Sequence, residues 1–474
     1  MKNTLLIFLT IFLCAKIHSQ THSLTVNGGY GSGNYQLGDT VHIWSEAYDN
    51  TKTFSHWSGD SQYLEMPNEW HTTLIMPNQN IIVTSVIDNI FTYTINYEQI
   101  MGVNNLKNVY SCFPSNMKGL IYLFHGTGGN ASNWINTVEY RSFVNCAIAD
   151  SFGIIVTEAE EITLNTDLNG DGKLRWQGLP IDTINGIDYL NIKAITDTFI
   201  NRGNITHLTP KISVGMSNGG SFSALISYIF NYQVGISYCA SSLQGVFGLR
   251  NNPFAFRMAK YDDNEQVGPI GNYEAWQNDS ILETRGICHG YKIHDRQPIY
   301  PERFARISGI SISASEGIFN DLNNNNQLDV KNYALHSDTI MNNVLVHPSL
   351  YPNIIALSSS LRKEVLNQIS TSNAEHSFYS DYNFETLNFI NNLCSESVGL
   401  IDINIKNKDL IVYPNPTNSI INVTCQNGFQ IFSSTGQLVK QSSNTTTQIS
   451  ISDLPTGLYL LKSGNGVVRF IKSE

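Results

Sequence analysis

The chain has 474 residues and a net charge of −11, with 41% hydrophobic and 11% aromatic residues. It carries enough apolar material for packed cores and too much chain for one ordinary domain, so roughly two to four are expected. An acidic chain with no basic stripe excludes nucleic acid as a partner. Met1-Lys2-Asn3 is a short basic start, and Leu5 to Ala15 is an apolar run too short to span a bilayer as a mature helix. Ser19 ahead of Gln20 suits signal peptidase, so residues 1–19 read as a cleaved secretory signal. No later stretch is long and apolar enough to cross a membrane, and no stable transmembrane anchor is expected. Beyond the signal lie Cys112, Cys146, Cys239, Cys288, Cys394 and Cys425. Secretion permits disulfides, whose pairing spacing cannot assign. No Cys-x-x-Cys occurs, so neither a zinc ribbon nor a thioredoxin-like motif is supported.

Residues 20–90 are rich in β-formers punctuated by glycine turns such as Asn27-Gly28-Gly29. Gly38-Asp39, Phe54-x-x-Trp57-Ser58-Gly59-Asp60 and Met76-Pro77 carry a resemblance to the divergent internalin B-repeat of secreted bacterial proteins. Trp57 and Asp60 look like a ligand pair. The stronger reading makes Trp57 the core aromatic of a small β domain and Asp60 part of a turn.

Residues 93–395 alternate apolar strands with amphipathic helices, the pattern of an α/β domain. "GLIYLFHG", "FGIIVTEA", "KISVG" and "VGISYCA" read as buried strands, and Ile187, Leu190, Ala194, Ile195 and Phe199 mark one helix face. Residues 405–474 return to short β segments. Tyr413-Pro414-Asn415-Pro416, Ser434-Thr435-Gly436 and Leu454-Pro455-x-Gly457-x-Tyr459 give this tail a resemblance to the C-terminal sorting domain of type IX secretion substrates. The resemblance implies the type IX machinery as a partner and a secreted or cell-surface destination.

The chemistry centres on Gly215-Met216-Ser217-Asn218-Gly219. A lone Gly-x-Ser-x-Gly is weak, but this one stands between a strand ending at Gly215 and a helix starting near Ser221. That is the setting of a nucleophile elbow. Upstream, a buried strand opens into His125-Gly126-Thr127-Gly128-Gly129, a loop able to aim backbone N–H groups at an oxyanion. The expected donors are the amides of Thr127 and Asn218, and His125 is expected to shape the turn. Downstream, His376 lies on a loop before the last helix of the domain, where it can serve as base. "FAFRMAKYDD" supplies the acid at the end of a strand, as Asp262 with Asp263 as the alternative and Glu316 more distant.

These elements, in this order, resemble the α/β-hydrolase superfamily, in particular the secreted esterases of the polyhydroxybutyrate depolymerase and feruloyl esterase type, which share the His-Gly loop and a Gly-x-Ser-Asn-Gly-Gly elbow. The resemblance implies an α/β-hydrolase catalytic domain flanked by two small all-β domains. It also implies cleavage of carboxylic esters, polysaccharide-linked or polyester, through an acyl-enzyme on Ser217 with His376 and Asp262. A serine peptidase of the same fold and a non-catalytic surface adhesin are the alternatives. The long stretch between Asp262 and His376 departs from the usual close spacing, and a cap-like insert is expected over about 265–370. No cofactor is required. Asp167-x-Asn169-x-Asp171-Gly172 begins like a calcium loop but lacks its closing glutamate, so calcium binding stands there against a plain polar turn.

Overall fold

The computed structural model describes residues 21–46, 52–89 and 93–393, and in the tail 412–413, 417–423, 428–433, 438–444, 447–463 and 466–473. The expected secretory signal, the linker and the motifs Pro414-Asn415-Pro416 and Ser434-Thr435-Gly436 lie outside the described residues. The chain divides into two compact units, Met1–Glu396 and Ser397–Glu474.

The first unit opens with β1 (Thr21–Asn27), β2 (Gly29–Tyr30), β3 (Gly33–Gln36), β4 (Thr40–Ser45), β5 (Lys52–Gly59), β6 (His71–Ile75) and β7 (Ile81–Asn89). They form two sheets, ordered β3-β1-β7-β5 and β2-β4-β6. Alternate residues point inward, as the period of two requires: Leu24 and Val26, Val41 and Ile43, Ile81 and Val83 pack around Trp57. Trp57 is 1% exposed and donates its indole N–H to the Glu69 carbonyl at 3.0 Å. Asp60 accepts the Ile82 amide at 2.9 Å. The pair is therefore core and turn.

The central sheet contains β8 (Asn96–Met101), β9 (Leu106–Cys112), β10 (Gly119–Phe124), β11 (Phe152–Val156), β12 (Lys211–Met216), β13 (Val234–Tyr238), β14 (Phe254–Ala259) and β15 (His289–His294). Its order is β8-β9-β11-β10-β12-β13-β14-β15. β9 runs antiparallel to both neighbours, and the strands from β11 to β15 are parallel. That order, with its antiparallel second strand, is the order of the α/β-hydrolase fold. A parallel sheet covered on both faces needs strands apolar on both faces. β10 meets that need: Leu120, Tyr122 and Phe124 join one core layer, and Ile121 and Leu123 the other.

The covering helices are α1 (Asn133–Asn136), α2 (Val138–Ala149), α3 (Glu160–Leu164), α4 (Ile187–Asn201), α5 (Asn218–Ile229), α6 (Gln244–Leu249) and α7 (Gly268–Thr284). After β15 come α8 (Ile312–Asn324), α9 (Ser337–Val346), α10 (Pro352–Ile355) and α11 (Ser359–Ser372), then α12 (Asn383–Asn392). Helices α8 to α11 enclose a core of their own around Phe304, Ile318, Leu322, Ile340, Val365 and Ile369. Ser311 and Ser358 cap α8 and α11 by accepting the amides of Ala314 and Leu361.

The insert thus starts later than expected. Residues 268–294 supply α7 and the edge strand β15, which pairs with β14 from Phe254↔His289 to Ala259↔His294. "HGYKIH" has no apolar run because an edge strand is only partly buried. Cys288 is disulfide-bonded, whereas Cys112, Cys146 and Cys239 are free. Among the described residues no helix is long and apolar enough to cross a membrane.

The second unit has β16 (Val412–Tyr413), β17 (Ile420–Val423), β18 (Phe429–Ser433), β19 (Leu438–Ser442), β20 (Gln448–Ser450), β21 (Gly457–Ser463) and β22 (Gly466–Lys472). These pair in two sheets, β16-β17-β20 and β19-β18-β21-β22, over Ile421, Ile431, Ile451, Leu461 and Phe470. Tyr459 stacks on Phe470 and donates its hydroxyl to the Pro455 carbonyl at 2.7 Å, which explains the Pro-x-Gly-x-Tyr spacing.

Candidate active site

Ser217 sits between the last residue of β12 and the first of α5, at φ 56° and ψ −126°. A residue with a side chain adopts that conformation only where its surroundings over-determine it. Here three glycines make the turn sterically feasible. A Cβ on Gly215 would lie 2.0 Å from the Gly219 carbonyl oxygen. On Gly219 it would lie 2.4 Å from the carbonyl oxygens of Phe124 and His125, and on Gly220 2.5 Å from Ser237 Oγ. The Ser217 amide donates to the Tyr238 carbonyl at 2.8 Å, which ties the turn to the end of β13.

His376 Nε2 lies 2.8 Å from Ser217 Oγ, and His376 Nδ1 lies 2.7 Å from Asp262 Oδ2. The Asp262 carboxylate is fully buried and its other oxygen accepts the Asn264 amide at 3.0 Å. A carboxylate can only accept, so Nδ1 carries the imidazole proton and Nε2 is left to accept from the serine hydroxyl. Asp263 points elsewhere: its side chain is 61% exposed and pairs with His336 Nε2 at 2.9 Å. Several bonds hold the loop that carries His376, two of them just ahead of it. The Tyr261 amide donates to the Ala374 carbonyl at 2.9 Å, and Glu375 accepts the Ser337 amide at 3.0 Å from the start of α9.

The loop after β10 lies against the elbow: a Cβ on Gly126 would lie 3.3 Å from Ser217 Cβ. Thr127, Ser217 and His376 line one crevice of about 420 Å³. Among the described residues the amides of Thr127 and Asn218 donate to no backbone carbonyl. For Asn218 this follows from its place in the first turn of α5, whose N–H groups have no intrahelical partner. His125 is buried, and burial lowers its pKa to about 4, so the ring is neutral. Its Nδ1 faces the Gly126 carbonyl at 2.7 Å and its Nε2 accepts the Ala159 amide at 3.1 Å. Both ring nitrogens are thus spent on shaping the turn.

Two contributors escape sequence reasoning. Trp176 donates its indole N–H to the His125 carbonyl at 3.0 Å and its amide to Asn218 Oδ1 at 2.8 Å, which bridges the loop and the elbow. Its only signal is one tryptophan in a polar stretch. Cys239, buried at the end of β13, lies 3.5 Å by Sγ from the Ser377 carbonyl.

The Asp167–Gly172 turn lies apart from this chemistry. Asp167 accepts the amides of Gly170 and Gly172, each at 2.7 Å, Asn169 accepts that of Asp171 at 3.0 Å, and Asp171 pairs with Arg175. Backbone amides and the Arg175 guanidinium thus hold these side chains. Adding EDTA is therefore expected to leave the thermal melting curve in place. A fall that calcium restores would show that the loop holds the ion.

Residues 411–472 match the family model of the secretion system C-terminal sorting domain. No curated protein matches the chain in sequence. In structure the chain is similar to dienelactone hydrolase from Anabaena variabilis ATCC 29413, at 14% identity and TM-score 0.32 over 43% of this chain and 86% of that one. It is also similar to an S-formylglutathione hydrolase from Agrobacterium tumefaciens, at 10% identity and TM-score 0.32 over 44% of this chain and 92% of that one. A third likeness is to the Pyrococcus horikoshii acylaminoacyl peptidase, at 10% identity and TM-score 0.32 over 58% of this chain and 51% of that one. By strand order and elbow the first unit has the α/β-hydrolase fold, and the tail is a secretion system C-terminal sorting domain.

Proposed function

We propose that the chain is a secreted serine hydrolase that cleaves carboxylic esters through an acyl-enzyme on Ser217. The observation that carries this reading is the hydrogen-bonded series from Asp262 through His376 to Ser217 Oγ, at 2.7 and 2.8 Å. As Oγ attacks the ester carbonyl carbon, His376 Nε2 takes the hydroxyl proton and the carbonyl π electrons move onto oxygen. The amides of Thr127 and Asn218 serve as donors to that oxyanion. Asp262 holds the Nδ1 proton and offsets the charge of the imidazolium. The C–O bond to the alcohol then breaks, and the imidazolium returns its proton to the departing alkoxide. Water repeats the sequence on the acyl-enzyme and releases the acid.

The crevice supports an ester on a carbohydrate over a long apolar polyester. Asn133, Asn264, Gln266, Asn367 and Gln368 line it with amide groups, against few apolar side chains such as Met216 and Phe378. Calcium is not part of this chemistry. The expected result is turnover of p-nitrophenyl acyl esters, fastest for short acyl groups, and none of peptide anilides. Preference for the anilides would make the chain a peptidase instead.

The sorting domain addresses the chain to the cell surface or beyond through the secretion machinery. With the signal at residues 1–19 we place export in two steps, across the inner membrane and then through the type IX system. The catalytic residues all lie in the first unit. A chain ending near Asp402 is expected to keep full esterase activity when purified and to remain in the periplasm of its host. Loss of activity in the purified truncated protein would make the tail part of the working enzyme.

A further inference from the structure

We infer that the N-terminal β module is a working part of the catalytic unit, with His71 as a positioning residue that holds the His376 loop through Asp381. This rests on the reading of His376 as the base for Ser217.

Asp381 follows His376 in the same loop and is 1% exposed. His71 Nδ1, from strand β6 of the module, lies 2.8 Å from Asp381 Oδ1. The other polar neighbours are more distant: Gln297 Nε2 donates to the same oxygen at 3.3 Å, His294 Nδ1 lies 3.8 Å from the second oxygen, and the Arg303 guanidinium acts through its field. That second oxygen has no hydrogen-bond partner among the described residues. The His71 bond is the shortest that this buried carboxylate makes, and an unmet buried charge is costly.

The proton positions follow from the carboxylate. Because Asp381 accepts, His71 Nδ1 is protonated and His71 Nε2 accepts from His42 Nδ1 at 2.9 Å. His42 Nε2 then accepts the Tyr333 hydroxyl at 3.3 Å. Burial keeps both imidazoles neutral, with the His42 pKa lowered to about 3. The chain of bonds starts in the insert, crosses the module and ends in the loop that carries His376.

The module grips the far end of that loop as well. Glu69 accepts the amides of Glu385 at 2.8 Å and Phe384 at 3.2 Å, the free N–H groups of the first turn of α12. Trp44 donates its indole N–H to Gln297 at 2.8 Å, and the Arg306 guanidinium lies 3.9 Å from the Trp70 ring centre. These module residues face the catalytic unit. His376 has to satisfy Ser217 and Asp262 together, and a misplacement of about 1 Å can cost on the order of 100-fold in rate.

The test compares His71→Asn with His71→Gln in the full chain. The Asn amide nitrogen can stand where Nδ1 stands and reach Asp381; the longer Gln places its nitrogen near the Nε2 position. Steady-state kinetics on a p-nitrophenyl ester are expected to show kcat lowered roughly ten-fold or more in His71→Gln with KM little changed, and most of kcat retained in His71→Asn. Melting temperatures are measured alongside. Wild-type kcat in His71→Gln, or equal loss in both variants, would overturn the positioning role and leave the esterase reading standing. Absence of ester turnover and of fluorophosphonate labelling in the wild type would remove both.

Discussion

Ser217→Ala is expected to lower ester turnover by about 10⁴- to 10⁶-fold while the protein stays folded. The loss is large because the attacking atom itself is removed, leaving only the oxyanion donors and substrate binding to act on water. Stability should change little, since alanine has to adopt the same φ of 56°. Ser217→Gly makes the sharper comparison. Glycine relieves that backbone strain, worth about 1–3 kcal/mol, at some cost in unfolded-state entropy. We expect Ser217→Gly to be as inactive as Ser217→Ala and more stable than wild type by about 1 kcal/mol. Kinetics paired with urea unfolding check both statements. An inactive glycine variant that is also less stable would show that the elbow is held in place by the serine side chain.

Asp262→Ala is expected to cost about 10³- to 10⁴-fold in kcat, and Asp263→Ala less than about two-fold. Without Asp262 the His376 Nδ1 loses its acceptor at 2.7 Å, so the tautomer that leaves Nε2 free is no longer favoured and the imidazolium goes unpaired. Asp263 is largely exposed and, among the described residues, pairs with the partly exposed His336. Exposed pairs of this kind contribute about 1 kcal/mol or less to stability. Rates for the two variants on one ester settle the assignment, and a reversed order would move the acid to Asp263.

The elbow was legible because its constraint is local. Gly215, Gly219 and Gly220 each stand where a Cβ would overlap a neighbour, so the turn writes itself into a short motif. The buried strands β10, β12, β13 and β14, of which only Lys211 is partly exposed, announced a parallel sheet in the same way. What went unread depends on distant partners. Strand β15 is a half-exposed edge with mixed polarity, so the insert was expected to begin before it. The Trp176 bridge to His125 and Asn218 requires a loop folded back over the elbow. His71 and Asp381 meet across 310 residues, and nothing near either residue signals the other. The module therefore looked independent in sequence, although Trp44, Glu69 and His71 bond to the catalytic unit.

In the proposed reaction Ser217 is an activated nucleophile. A fluorophosphonate probe followed by peptide mass mapping tests it most directly, because the phosphorus is attacked only by a serine whose proton has a base to go to. A single adduct is expected on the peptide containing Ser217, complete within minutes at neutral pH, and none in Ser217→Ala. A folded protein that takes up no label, or whose label maps to another residue, would contradict it.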